Sequence, residues 1–234
     1  METVIATFNI QHCRNYLTGK IDYPAFAAEL KTLDADIVGL NEVRGAGEAP
    51  GYDPQAAILA EALGYRYYFA KAIDVNGPNP YGNAILSRIP LRLAETVAIP
   101  DPAERKYRGY YETRCVLHAE TADGLTVLIS HFGLNPDERE NAVGTVLSLY
   151  PGKKTVFMGD LNAVPDDPVL LPLFRTLRTV GGDYLTFPSD APRSRIDHIF
   201  LSDDLTLLSL ERPDRVVSDH LPLRARIAVP DGEN

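Results

Sequence analysis

The residues able to do chemistry in this sequence stand in short polar clusters, each beside a run of apolar residues. Phe8 precedes Asn9, and Val38-Gly39-Leu40 precedes Asn41-Glu42. Val127-Leu128-Ile129 precedes Ser130-His131, and Val156-Phe157-Met158 precedes Gly159-Asp160-Leu161-Asn162. Arg195-Ile196-Asp197-His198 falls in or beside another β-prone run, and Val216-Val217 precedes Ser218-Asp219-His220. In α/β folds ligands bind where strand ends meet. If these ends converge, Glu42, Asp160, Asp197 and Asp219 crowd one pocket and repel one another. A divalent cation supplies the compensation. Carboxylates with the amides Asn9 and Asn162 are oxygen donors suited to a hard ion, Mg²⁺ or Mn²⁺, and not to thiolate- or histidine-rich zinc chemistry.

Each cluster has an ordinary structural explanation when taken alone. Gly-Asp-x-Asn makes Asx turns. Glu42 fits a solvated strand end, Asp197 a surface position, and residues 218–220 an exposed loop. The shared placement after apolar strands is what argues for a site. Competing chemistries fail: no G-x-S-x-G elbow is present. Gly45-Ala46-Gly47 runs into Pro50-Gly51 where a dinucleotide-binding helix would start. Gly152-Lys153-Lys154-Thr155 precedes a strand instead of opening a helix, and it lacks the upstream glycine of a P-loop.

The elements that must position these residues follow from periodicity. Phe26, Ala27, Leu30 and Leu33 share one face of a helix over Tyr23–Leu33, started by Asp22 and Pro24. Gln55–Leu63 is a second helix ended by Gly64, and Pro136–Leu149 a third, closed by Pro151-Gly152. Strands are expected near 4–8, 36–40, 67–70, 83–87, 91–98, 113–120, 125–131, 155–158, 195–201, 205–210 and 223–229. The 113–120 and 125–131 runs flank Ala122-Asp123-Gly124 and form a hairpin, which a purely parallel sheet would not contain. The expected fold is a mixed-sheet α/β (α+β) structure in one continuous domain, 1–234.

Composition is that of a globular protein, 45% hydrophobic and 24% charged. A net charge of -9 disfavours tight non-specific binding to nucleic acid or anionic membranes, although a local basic patch or bound cation can reverse the sign. Cys13 and Cys115 lie in no CxxC motif and are expected as reduced, partly buried thiols. METVIATFNI lacks a basic and apolar leader pattern, and no apolar run reaches the ~20 residues of a membrane span. A cytoplasmic protein with no membrane anchor and no stable protein partner is the expectation.

Taken together, Phe8-Asn9-Ile10, Leu40-Asn41-Glu42-Val43, Gly82-Asn83-Ala84-Ile85-Leu86-Ser87-Arg88, Ser130-His131-Phe132, Gly159-Asp160-Leu161-Asn162, Arg195-Ile196-Asp197-His198 and Ser218-Asp219-His220-Leu221-Pro222 resemble the ordered motifs of the endonuclease/exonuclease/phosphatase superfamily. The resemblance implies a four-layer sandwich, two mixed sheets face to face with helices outside. It implies Glu42 as principal metal ligand, with Asn9 beside it and Asp219 nearby. It implies that Asp160 and Asn162 orient water and contact the scissile phosphate, that Asp197 orients His220, and that His131 and Arg114 contact phosphate. His220 is then the candidate general base, with Asp160 its rival. Asn41 departs from the glutamine common before the glutamate, which bears on support of the site more than on metal binding. His12, His118 and His198 are expected to be packing or surface residues, His198 facing away from Asp197 by strand alternation.

The implied activity is metal-dependent hydrolysis of a phosphate ester, in a small molecule, lipid or nucleic acid. A nuclease is one alternative, because residues 105–111 (RKYRGYY) mix basic and aromatic side chains that can grip phosphates and stack bases. An inactive phosphoester-binding module is another. Residues 14–16 and 76–81 are expected on the rim.

Overall fold

The computed structural model describes residues 1–230, so the last four residues of the expected 1–234 domain lie outside the described residues. Two six-stranded sheets stack face to face. The first holds β1 (Glu2–Asn9), β2 (Ile37–Arg44), β3 (Arg66–Asp74), β4 (Pro80–Ser87), β11 (Thr206–Glu211) and β12 (Leu223–Ala228), in the order β11-β12-β1-β2-β4-β3. The second holds β5 (Leu91–Ala98), β6 (Cys115–Thr121), β7 (Thr126–Ser130), β8 (Thr155–Asp160), β9 (Arg178–Val180) and β10 (Asp197–Leu201), in the order β5-β6-β7-β8-β10-β9. Each sheet has one parallel pair, β1 with β2 and β7 with β8, and is otherwise antiparallel. The expected hairpin is β6–β7.

Alternation along the strands builds the layers. Ile5, Ile37, Ile85, Ile129, Met158 and Ile199 point between the sheets. Phe8, Val38, Leu40 and Leu86 point the other way, against Phe26, Leu30 and Leu33 of α1 (Tyr23–Leu33) and Leu59 of α2 (Gln55–Leu63). Leu128, Phe157 and Phe200 pack on Ala142, Val143 and Val146 of α3 (Pro136–Leu149) and Leu173 of α4 (Leu171–Thr176). The result is the expected four-layer sandwich. Three helices have the boundaries that the sequence predicts. Asp22 caps α1 by accepting from the Ala25 amide at 3.1 Å, and α3 opens with a capping box between Asn135 and Glu138.

Several local expectations change. Glu42 does not end its strand. It sits at φ +58° in a bulge between Leu40 and Val43, and β2 continues to Arg44. Val216-Val217, Arg195-Ile196 and Thr113-Arg114 lie outside strands, while Pro80 and Tyr81, expected in a rim loop, begin β4. The short α4 and β9 had no periodic signal long enough to read. Both cysteines are free and fully buried, where partial burial was expected.

Candidate functional site

The inter-sheet layer is apolar along most of its length and turns polar at one end. There the inward row of β1 reaches Asn9, β2 reaches Asn41 and β4 reaches Asn83. From the facing sheet β8 delivers Asp160 and β10 delivers Asp197, while His131 directly follows β7. Asn9 is the register partner of Asn41, and Asp160 of Asp197. The loop before β12 adds Asp219 and His220, anchored where Ser218 donates to the Asn9 carbonyl at 2.8 Å.

A ladder of buried amides bolts the two sheets together here. The Asp160 amide donates to Asn41 Oδ1 at 2.9 Å, Asn41 Nδ2 to Asn83 Oδ1 at 2.8 Å, and Asn83 Nδ2 to the Cys115 carbonyl at 3.2 Å. Gly159, at φ +148°, leaves room for this approach; a Cβ there would lie 1.9 Å from the Ser130 carbonyl oxygen.

Glu42 and Asp219 are the half-buried carboxylates of the site. Tyr81 donates to Glu42 Oε2 at 2.8 Å, and Asn9 Nδ2 lies 3.1 Å from Glu42 Oε1 and 3.0 Å from Asp160 Oδ2. Asn9 Oδ1 accepts from the Gln11 amide at 3.1 Å, so its nitrogen is the end that faces the carboxylates. Gln11 Nε2 donates to Asp219 Oδ2 at 2.9 Å. Tyr81 and Gln11 were not picked out as site residues. Gln11 had only its nearness to Asn9 as a signal, and Tyr81 only its place before Gly82-Asn83. Gln11, His12 and Cys13 all adopt left-handed φ (42°, 46° and 58°), strain held in the segment that follows Asn9.

Deeper in, His220 Nδ1 donates to Asp197 Oδ2 at 2.8 Å, and its Nε2 lies 3.6 Å from Asp160 Oδ2. Burial pulls the His220 pKa down, but Asp197, Asp160 and Asp219 more than reverse this and hold it at about 10. Asp160 is only 2% exposed; burial, with Asp197 adding repulsion against the relief from His220, pushes it up to about 7. Asp219 is also raised, by burial and, after the relief from His220, by the charge of Glu42. His131 is held well below its ordinary value by burial, Arg114 and His220, and is neutral. Arg114 Nη1 lies 3.0 Å from His131 Nδ1. The guanidinium can only donate, so Nδ1 accepts and the ring hydrogen is on Nε2, 3.5 Å from Asp160 Oδ2. The 3.0 Å approach of Asn162 Nδ2 to that same Nε2 is then packing, and the amide donates instead to the Phe132 carbonyl at 3.0 Å.

All of the sequence-selected residues therefore gather at one end of the sandwich: Asn9, Glu42, Arg114, His131, Asp160, Asn162, Asp197, Asp219 and His220. The three remaining histidines stand apart from this cluster. His198 is buried on the outer face of β10, His118 pairs with Glu95 at 2.9 Å, and the His12 ring centroid lies 6.4 Å from that of Tyr81. The 105–111 segment is a ridge beside the site, docked on the start of α3. Tyr111 Oη and the Lys106 amide both donate to Asp137, while Tyr107 and Tyr110 stay exposed. Residues 14–21 form a second rim, where the Tyr16 amide donates to the Val217 carbonyl at 2.8 Å.

Crowded carboxylates fit a hard divalent cation. Asp160, Asp197 and His220 place one ligand atom each within 4.8 Å of one another, all buried. The His220 cation already offsets part of that trio's charge. Glu42 and Asp219 are the more open pair, and among the described residues neither forms an ion pair with a lysine or arginine.

The sequence matches the family model described as the Endonuclease/Exonuclease/phosphatase family over residues 6–220. It is 27% identical to YbhP of Escherichia coli K12 over 247 aligned positions, covering 95% of each chain. Among solved structures, an endonuclease/exonuclease/phosphatase protein of Beutenbergia cavernae superposes with a TM-score of 0.78 at 22% identity, over 97% of this chain and 72% of that one. The mannosyl-6-phosphatase of Bacteroides thetaiotaomicron superposes with a TM-score of 0.69 at 18% identity, over 97% and 99%. These structural likenesses concern the fold.

Proposed function

This chain belongs to the endonuclease/exonuclease/phosphatase family, and from that membership we propose that it hydrolyses phosphate esters with a divalent cation, Mg²⁺ or Mn²⁺. One observation carries the reading. A half-buried carboxylate pair, Glu42 and Asp219, faces an Asp160–His220–Asp197 cluster across the end of two packed sheets, with Arg114, His131 and Asn162 alongside.

Glu42 and Asp219 would hold the cation, with Asn9 and Tyr81 orienting Glu42 and Gln11 orienting Asp219. When bound, it would polarise a phosphoryl oxygen. The residues do the rest. The sequence left the base open between His220 and Asp160, and the electrostatics favour Asp160. Burial raises the Asp160 carboxylate toward a better acceptor of a water proton, whereas His220, raised by Asp197 and Asp160, already carries its proton. As water forms the new P–O bond and the leaving-group bond breaks, Asp160 takes the water proton. His220, held by Asp197, and Arg114 offset charge on the phosphoryl oxygens. His131 Nε2–H and Asn162 position water and phosphate.

The exposed Tyr107 and Tyr110 on the basic ridge favour a second reading, a nuclease whose strand passes over residues 105–111. An inactive binding module accords less well with a site in which every one of these positions is filled. The test is hydrolysis of bis(p-nitrophenyl) phosphate in Mg²⁺, with EDTA and Glu42→Ala controls, beside nicking of supercoiled plasmid. Glu42→Ala is expected to lose metal-dependent turnover at unchanged Tm. A wild-type rate in that variant would sink the metal assignment. Nicking that both controls abolish selects the nuclease; cleavage of the chromogenic diester alone selects a small-molecule or lipid phosphoester.

A further inference from the structure

Asn162 stands at φ +47°, a left-handed conformation that asparagine tolerates better than most residues but that still costs free energy. Part of the turn is local, since the Asn162 amide donates to Asp160 Oδ1 at 2.9 Å. The rest comes from the outer layer on the far side of the second sheet. Arg139, on the first turns of α3, donates from Nη1 to the Asn162 carbonyl at 2.7 Å. The same nitrogen meets Asp167 Oδ2 at 3.0 Å, which fixes the guanidinium. His198, on the outward face of β10 and fully buried, donates from Nε2 to the next carbonyl, that of Ala163, at 2.9 Å. Its Nδ1 is buried without a partner among the described residues. Two neighbouring carbonyls of a strained turn are thus each taken by a side chain from outside the site. Both side chains come from the layer outside the second sheet, Arg139 from α3 and His198 from the outer face of β10.

We propose that Arg139 and His198 are positioning residues that clamp the 160–163 turn and so hold the Asn162 amide against Phe132 and His131. The assignment rests on the proposed hydrolase reading for its kinetic consequence, and on the hydrogen bonds alone for its structural one. With either donor gone, a carbonyl of the turn loses its partner, the half-buried one of Asn162 or the buried one of Ala163. The turn then relaxes toward ordinary backbone angles and the Asn162 side chain leaves its seat. Displacements of about 1 Å at a reacting centre cost on the order of 100-fold in rate.

The experiment pairs kinetics with NMR. Arg139→Met and His198→Phe remove the donors; Arg139→Lys and His198→Gln keep a nitrogen donor at a similar reach. Each is made in the native chain and in an Asn162→Ala background, with bis(p-nitrophenyl) phosphate and Mg²⁺ as probe. The donor-deleting variants are expected to lose roughly 10- to 100-fold in kcat with KM unchanged. The donor-keeping variants should recover most of that loss. In the Asn162→Ala background the same deletions should cost almost nothing further, because they act through the missing amide. An equal loss with and without Asn162 would mark Arg139 and His198 as general supports and overturn the proposal. The Asn162 side-chain amide resonance, assigned by its disappearance in Asn162→Ala, gives the second readout. It should move toward the position of a solvated amide in Arg139→Met and stay put in Arg139→Lys. An unmoved resonance refutes the clamp whether or not the wild type turns over the diester. If Arg139→Met fails to fold, His198→Phe tests the other half by the same two measurements. A wild-type protein with no turnover would instead remove the hydrolase reading, leaving the clamp to be decided by the resonance.

Discussion

Asp197→Asn removes one charge from the centre of the site with almost no change of shape. Asp197 is fully buried, accepts from His220 Nδ1 at 2.8 Å through Oδ2, and has no partner at Oδ1 among the described residues. Asparagine can keep the hydrogen bond only by turning its amide nitrogen into the place of Oδ1, where no acceptor waits. The opposite rotamer sets an N–H against Nδ1 and forces the wrong tautomer. Either way the carboxylate that contributes most to raising His220 is lost, and burial then pulls the imidazole pKa down from about 10. Removing a group that orients and charges a catalytic histidine costs roughly 10²- to 10⁴-fold in kcat, about 2.7–5.4 kcal/mol of transition-state stabilisation. The phosphate contact proposed for Arg114 is untouched, so KM for bis(p-nitrophenyl) phosphate should stay within a few-fold. The pH profile discriminates further. A histidine that works as a cation loses activity as pH rises through its pKa, so lowering that pKa must move the alkaline limb of kcat/KM toward neutral pH. If His220 worked instead as a neutral base, an acid limb would move and the alkaline limb would stay. An Asp197→Asn enzyme within about tenfold of wild type, or one with an unmoved alkaline limb, would refute the assignment of His220 as a carboxylate-held cation.

Other consequences are open to simpler measurements. His198 is held at about 4 by burial, so the folded protein keeps it neutral while the unfolded chain protonates it near 6.5. Its stabilising contribution is complete above pH 6.5 and drains away as pH falls toward 4. Urea unfolding at both ends of that window should show wild type losing about 3 kcal/mol more than His198→Gln; parallel losses in the two proteins would contradict it. Asn41→Ala strands the Asp160 amide and Asn83 Oδ1 in the interior. At ~1–3 kcal/mol for each unpaired group, unfolding should show a loss of about 2–6 kcal/mol, and a loss under 1 kcal/mol would remove the ladder's role in joining the sheets. Gly159→Ala drives a Cβ to 1.9 Å from the Ser130 carbonyl oxygen at a φ of +148°. It should yield no folded protein by near-UV circular dichroism, and a native-like spectrum would show that the sheets can part there.

Local signals carried a good share of the architecture. α1, α2 and α3 begin and end where caps, prolines and Gly64 place them, because helix ends are decided by backbone groups within a turn of the terminus. The alternating strands and the 122–124 hairpin turn were equally local. The bulge at Glu42 was not legible. It comes from how β2 pairs with β4, and nothing within residues 38–44 announces that two residues there, Asn41 and Glu42, will oppose the single residue Asn83. Likewise Val216-Val217 has strand-like side chains but finds no partner strand. The segment is used to carry Asp219 and His220 to the site, with Ser218 tied to the Asn9 carbonyl.

Residue type and strand position told which side chains could act: carboxylates, histidines and amides following apolar runs in a fixed order along the chain. Those properties are written one residue at a time. Bringing Asn9, Glu42, Asp160, Asp197 and His220 to one place required the closing of both sheets and their stacking, which join positions up to 211 residues apart. Only that packing settles which amide bridges which carboxylate, and which histidine nitrogen carries the hydrogen. The protonation states follow from the same cause. Burial and neighbouring charge, neither of them a property of sequence spacing, make His220 a cation, leave His131 neutral and raise Asp160 to about 7.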